Sequence, residues 1–240
     1  TEVLAAPNLD EMMKRIEAIP LIVDPGTKWL YSASVDIQGY IVQKLSGQKF
    51  GDYLKANTFT PLRMNDTSFF VTEANKPRFT DVYHWDKDKK ALVKNEDRPD
   101  RPGFTDPNRL ESGGGGLVST THDYARFVQM LLNKGELDGK RVLKPETVEL
   151  MFQNQTPPGI NRQWGYGGAI AGPSSDRSPT PPGTFSWFGI DGTWFWADAM
   201  NNVGFVGMIQ RRGNGGPGAV NFQPDSASAV YKALVPVAAK

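Results

Sequence analysis

The chain has 240 residues, 39% hydrophobic and 22% charged, with a formal net charge of +1 and no cysteine. Such a length holds one large domain or two small ones, and the composition is that of a globular rather than a disordered protein. Near-neutrality argues against a generic polyanion partner such as nucleic acid, the lack of cysteine removes disulfides and thiol nucleophiles, and no apolar run approaches the roughly 20 residues of a membrane span.

In chain order, Asn8 or Asp10 is expected to cap a helix running to about residue 18. Leu9, Met12, Met13, Ile16 and Ile19 form its apolar face, and Pro20 ends it. Pro25-Gly26 makes a tight turn, and Tyr31 leads into a second amphipathic helix over about 34–45. Val35, Ile41, Val42 and Leu45 are expected to face inward there, with Gly47 as the stop. A third short helix spans 50–57. Residues 71–110 are polar and spotted with proline, a length typical of functional or disordered loops, with a short hairpin expected at Tyr83-His84-Trp85 and Ala91-Leu92-Val93. After four consecutive glycines at 113–116, Ser119 or Thr121 caps a helix over about 123–133, whose buried stripe is Tyr124, Phe127, Val128, Leu131 and Leu132. Pro145 opens one more helix, to about Phe152.

The texture changes after about Pro157. Strands are expected over 165–170, 185–187, 193–197 and 203–210, with Asn201-Asn202 turning between the last two and a helix over 225–234 closing the chain. Helices, then antiparallel strands, then a helix predict an α+β fold. The expected division is a mainly helical region with long substrate-facing loops over 1–156, and the strands and last helix over 157–240.

Chemistry-bearing residues are few. With two histidines, no cysteine and no Gly-x-Ser-x-Gly elbow, a serine-histidine-acid or cysteine-histidine site is hard to assemble. His84 and His122 lack metal-ligand spacing, so neither metal nor other cofactor is expected, and His122 beside the helix cap reads as structural. Tyr31, arriving from the Pro25-Gly26 turn after Trp29, is the best clue, since a phenol can transfer protons if its surroundings lower a pKa near 10. The plain alternative is a buried tyrosine with a hydrogen-bonded hydroxyl. Trp187-Phe188-Gly189, followed by Gly192, reads as a strand whose backbone approaches a ligand, or else as core filling. The glycine run at 113–116 reads equally as a flexible turn or a cleft lining. Arg211-Arg212 and the mixed charges at 86–90 read as solvated faces.

Taken in order, these features resemble a known superfamily. They are Pro25-Gly26, Tyr31-Ser32, Gly39, Leu45-Ser46-Gly47, Pro61-Leu62-x-Met64, Thr67, the stretch from Gly114 to Thr120, Asp123 and the strand pair after Trp187. The set resembles the serine β-lactamase/penicillin-binding-protein-like superfamily, and most closely the class C β-lactamase-like carboxylesterases (family VIII esterases). The resemblance covers nearly the whole chain. It implies a β-lactamase/transpeptidase-like fold, in which an antiparallel sheet flanked by helices joins a mainly helical region. It also implies a serine hydrolase that cleaves carboxylic esters through an acyl-enzyme.

In that family Ser-x-x-Lys supplies the nucleophile and its lysine, Tyr-x-Asn the proton-transfer tyrosine, and a Lys-Thr-Gly-like strand borders the pocket. By this match Tyr31 is the general base and acid. Trp187-Phe188-Gly189 is a tryptophan version of the third motif, and Ile190 offers its backbone N–H as an oxyanion donor. Asp191, beside that donor, either tunes selectivity or reaches solvent.

The chain departs from the pattern at three places. Ala33 stands where β-lactamases keep asparagine, and Trp187 where a lysine would attract a β-lactam carboxylate; both changes favour neutral esters. The family's Ser-x-x-Lys would fall before Thr1. A literal Ser46-Gly47-Gln48-Lys49 sits at a helix end, where the family has a connecting turn, and reads as chance. The serine and lysine are therefore expected on an N-terminal segment of the same protein, which is this chain's expected partner beside a small ester. A β-lactamase or D,D-peptidase-type hydrolase, and a catalytically inactive binding relative, stand as alternatives. Localisation stays open.

Overall fold

The structure is a computed structural model, and it describes residues 2–31, 33–96, 102–175, 179–213, 215–216 and 221–234. Helix α1 (Leu9–Glu17) starts at Asn8, whose Oδ1 accepts the Glu11 N–H at 2.9 Å. It lays Leu9 and Met12 into a core with Phe50, Phe69 and Leu110, while Ile19 lies beyond its end and is exposed. Helix α2 (Ser34–Ser46) stops at Gly47, which takes the left-handed conformation (φ 68°) that a residue without Cβ adopts at little cost. Helix α3 (Phe50–Leu54) continues through a π-helical turn to Phe59.

The face that α2 buries is not the expected one. Val35, Ile41 and Leu45 point outward, Leu45 at 85% exposure, and only Val42 of the four packs partly. The buried positions are Asp36 and Gly39. The reason is tertiary. The Asp36 carboxylate accepts the Ser112 hydroxyl at 2.5 Å and the Gly114 N–H at 3.2 Å, and Gly39 lies under the Phe50 ring, where an added Cβ would come within 2.9 Å. Within this chain the helix docks through that small and polar stripe.

Strands β1 (Tyr83–Asp86) and β2 (Ala91–Lys94) form the expected antiparallel hairpin within the long polar stretch. Arg109 ties part of that stretch down, donating to the carbonyls of Phe69 and Gly116 and lying 3.7 Å above the Phe104 ring. Helix α4 (Thr121–Leu132) is capped by Thr120, whose Oγ1 accepts the Asp123 N–H at 3.1 Å, rather than by Ser119 or Thr121. The Ser119 hydroxyl is engaged with Thr67 instead, at 2.8 Å. A two-residue ladder of β3 (Glu136–Leu137) and β4 (Lys140–Arg141), too short to leave a sequence pattern, precedes α5 (Pro145–Met151).

The main sheet joins β5 (Ala169–Ile170), β6 (Phe185–Gly189), β7 (Thr193–Asp198) and β8 (Val203–Met208), antiparallel throughout and in that order. The first strand is shorter than expected, because positive φ at Gly167 turns the chain back and Trp164 bridges Ala169. Strand β9 (Arg211–Arg212) leaves this sheet to run parallel to β1, and α6 (Phe222–Ala233) closes the described chain. Helix α4 packs on one sheet face, where Val128 and Leu131 meet Phe185, Phe195 and Ala197. Gly204 lets the helix approach, since a Cβ there would lie 2.4 Å from Val128.

On the other sheet face Trp194 and Trp196 pack with Phe205 of β8 and with Ala227 and Tyr231 of α6. The buried Asp198 carboxylate accepts the N–H groups of Met200 and Asn201 and the Tyr231 hydroxyl, which sets the expected turn at Asn201-Asn202. Burial and that carboxylate both push the Tyr231 phenol well above its ordinary pKa. The architecture is α+β. Among the described residues no helix is long and apolar enough to cross a membrane.

Candidate active site

Tyr31 lies on the surface at 68% exposure, not in packing. Its ring centroid is 5.6 Å from that of Trp187 on β6 and 6.2 Å from that of Trp29. The structure thus brings the two main sequence candidates, the tyrosine and the tryptophan strand, onto one face. Trp29 and Tyr31, two residues apart, turn their rings to the same face, Tyr31 against Trp187 and Trp29 against Trp164. Trp164 completes the group, 5.1 Å from Trp29 and 4.5 Å from Trp187 in an edge-on arrangement. The Arg162 guanidinium lies 4.7 Å from the Trp29 centroid and 5.9 Å from that of Trp164.

Past Trp187, Phe188 stacks on it at 5.1 Å and stays exposed. Gly189 pairs with Thr193 and lies close to its hydroxyl, 2.5 Å from where a Cβ would stand, so the strand end presents bare backbone. Ile190, Asp191 and Gly192 make a three-residue hairpin loop, with Gly192 at φ 81° where such loops place a left-handed residue. The Ile190 side chain is 73% exposed, and among the described residues no hydrogen bond takes its N–H. Asp191 is not merely solvated: it pairs with Arg212 at 2.6 Å. That pair also gives one arginine of the Arg211-Arg212 doublet a structural use.

Ala33 caps α2 without a side-chain hydrogen bond, directly after the segment that carries Tyr31. Ser32 lies outside the described residues. Ser46 and Lys49 are engaged separately: the Ser46 hydroxyl donates to the Gln43 carbonyl and accepts the Gln48 N–H, while Lys49 pairs with Glu111 at 3.0 Å. In the glycine run at 113–116, a turn, Gly113, Gly114 and Gly116 are closely approached, while Gly115 is open to solvent. A Cβ would meet the Val35 carbonyl at 2.4 Å from Gly113 and Asp36 at 2.6 Å from Gly114. Its role is to seat α2, and hence the start of the helix that follows Tyr31.

The sequence reading singled out neither Trp164 nor Arg162 and treated Trp29 only as a neighbour. The signal available was weak, namely an aromatic two residues before Tyr31 and a tryptophan ahead of Gly165. The aromatic face is open. A groove of about 390 Å³ lies elsewhere, lined by polar residues around Gln43 and Lys49. Chemically, the face combines an exposed phenol, an apolar aromatic wall and an exposed strand-end backbone, with Arg162 as the cation at its rim.

Comparison with known proteins gives the chain's family. The chain is 31% identical to Protein Rv1367c of Mycobacterium tuberculosis over 217 residues, covering 84% of this chain and 53% of the relative. It is 27% identical to Esterase EstB of Burkholderia gladioli over 209 residues, covering 78% and 51%. The chain therefore spans about half the length of the curated relatives it matches. Among solved structures it shares the fold of EstCE1, described as a hydrolase with promiscuous acyltransferase activity, at a TM-score of 0.75 and 22% identity, covering 92% of this chain and 61% of the other. The Beta-lactamase family model matches residues 2–226, and the chain belongs to that family.

Proposed function

We propose that this chain carries the proton-transfer tyrosine and the substrate-facing strand of a serine hydrolase that cleaves neutral carboxylic esters. The observation that carries the reading is the meeting of exposed Tyr31 with Trp187 on one open face. The nucleophilic serine and its lysine belong, in this reading, to a segment preceding Thr1. The serine oxygen attacks the ester carbonyl while Tyr31, as phenolate beside that lysine, takes the hydroxyl proton. The tetrahedral oxyanion is held by N–H donors, that of Ile190 among them. Collapse breaks the ester C–O bond, and Tyr31 returns the proton to the leaving alcohol. Water then attacks the acyl-enzyme with the same tyrosine as base.

Substrate preference follows from what the face lacks. With Ala33 in place of an asparagine and Trp187 in place of a lysine, nothing at those two positions holds a β-lactam amide or carboxylate, and Phe188 and Ile190 present apolar surface to an acyl chain. Similar proteins named as acyltransferases support a second outcome at the same site, transfer of the acyl group to an acceptor other than water.

The test uses the full-length gene product. A fluorophosphonate probe should label a serine upstream of Thr1, and Tyr31→Phe should lower turnover of p-nitrophenyl butyrate by roughly 10²–10⁴-fold. Labelling of a serine within the present residues contradicts the placement of the nucleophile. Unchanged turnover in Tyr31→Phe rejects the role of the phenol, and no turnover by the parent points to an inactive relative. Nitrocefin hydrolysis faster than ester hydrolysis moves the reading to a β-lactamase.

A further inference from the structure

The four rings of Trp29, Tyr31, Trp187 and Trp164 close a circuit, each within 6.2 Å of the next, and the two halves of that circuit are anchored very differently. Trp187 is held in β6, paired with Phe195 of β7. Trp164 is fixed through its own backbone: its N–H donates to Asn154 Oδ1 at 2.9 Å, its carbonyl accepts the Gln155 N–H at 2.7 Å, and Gly165 behind it is pressed against the Met151 carbonyl. The other half has no such hold. Among the described residues the backbone of 28–31 makes no hydrogen bond, and the last tie before it is the Asp24–Thr27 turn. Lys28 and Leu30, between and beside the two rings, are exposed.

We infer that Trp164, with Arg162 laid over it, is a positioning residue: it holds Trp29, and through Trp29 sets where the Tyr31 phenol stands against the Trp187 strand. The physical basis is that aromatic contacts are the attachment between the Tyr31 segment and the sheet. Tilted and edge-on ring pairs at these separations are attractive and directional. The Arg162 guanidinium, over both Trp29 and Trp164 and with no carboxylate in ion-pair range among the described residues, clamps the pair by cation–π attraction. A catalytic phenol displaced by even 1 Å loses rate steeply, so an indirect contact of this kind acts on turnover without touching substrate. The inference rests on the proposed role of Tyr31 for its effect on rate, but not for its effect on the segment.

Two readouts on the full-length gene product test it. Limited trypsin digestion reports the segment directly, because cleavage after exposed Lys28 requires 28–31 to leave the sheet. Trp164→Ala should speed that cleavage about tenfold with an unchanged melting temperature, Arg162→Gln should do so to a smaller degree, and Trp164→Phe should restore most of the protection. In ester turnover Trp164→Ala should lower kcat by roughly 10- to 100-fold with KM within about twofold, again with recovery in Trp164→Phe. Wild-type cleavage at Lys28 in Trp164→Ala overturns the tether. A raised KM with unchanged kcat overturns it too, because Trp164 then lines the substrate instead of holding the tyrosine. If Trp164→Ala does not fold, Arg162→Gln and Trp164→Phe decide through the same digestion. If Tyr31→Phe is fully active, the functional proposal fails, while the Lys28 cleavage still judges the tether.

Discussion

Replacing Asp36 by alanine removes the polar hook by which α2 is seated, and its cost can be worked from the structure. The carboxylate is 3% exposed and accepts two hydrogen bonds, from the half-buried Ser112 hydroxyl at 2.5 Å and from the Gly114 N–H at 3.2 Å. A hydrogen bond to a charged group contributes about 1.5–3 kcal/mol, but the long bond to exposed Gly114 belongs at or below the bottom of that range. Asp36 also stands in the first turn of α2, where a negative charge adds about 0.3–1 kcal/mol. Relief of the carboxylate's own desolvation offsets part of this, leaving about 2–3 kcal/mol lost in Asp36→Ala. For a protein of this size that lowers Tm by roughly 5–10 °C. Asp36→Asn keeps an acceptor and should cost about 1 kcal/mol, as should Ser112→Ala. Because Asp36 and Ser112 share one bond, the double variant Asp36→Ala/Ser112→Ala should be less destabilised than the sum of the singles. Thermal and urea melts followed by far-ultraviolet circular dichroism read all four. A loss under about 0.5 kcal/mol in Asp36→Ala, or strict additivity, would falsify the argument that this carboxylate chooses the buried face of α2.

Other expectations concern pH and surface. Burial pushes the Tyr124 phenol up to about 12, from an ordinary value of 10.0, so the unfolded chain ionises there first. The stability tied to this group is complete below pH 10 and is lost as pH rises through 12, by up to about 2–3 kcal/mol; Tyr124→Phe should flatten melting temperature against pH in that window, and an unchanged slope contradicts the assignment. Arg78 grips Asp66 with both guanidinium nitrogens, at 2.9 and 2.7 Å, and holds its carboxyl below the ordinary 3.8. That contribution is present above about pH 5 and fades as pH falls through the lowered value, and solvent screening keeps it small for a pair this exposed. Acid melts of Arg78→Gln should lose that component, and identical acid profiles would remove the pair from the account. Finally, the outward apolar residues of α2 and the outer edge of β8, unpaired among the described residues, are exposed. The isolated 240 residues should bind an exposed-surface dye such as ANS and the full-length product should bind far less; a dye-free cooperative melt of the isolated chain counts against this.

Local order was legible in the residues because its causes are local. Asn8, Gly47 and Pro145 mark helix ends through caps and backbone preferences that act within a few residues. The order of helices and strands named an α+β fold, and the motif series named the superfamily. Tyr31 and the Trp187 strand stood out for their residue types and their turns. Boundaries shifted where a distant group intervened, as when Thr67 engaged Ser119 and left Thr120 to cap α4.

The amino-acid sequence on its own determined the longer elements and the family, and it pointed to Tyr31 and the Trp187 strand as candidates, since periodicity, capping and motif order need no partner. Tertiary structure alone decided which face of α2 is buried, because the choice turns on Ser112, 76 residues from Asp36. It alone also closed the ring circuit around Tyr31, which draws on three segments remote in the chain. Apolar periodicity scores a side chain by its type, whereas burial depends on what stands opposite it, and that is settled only when the chain has folded back on itself.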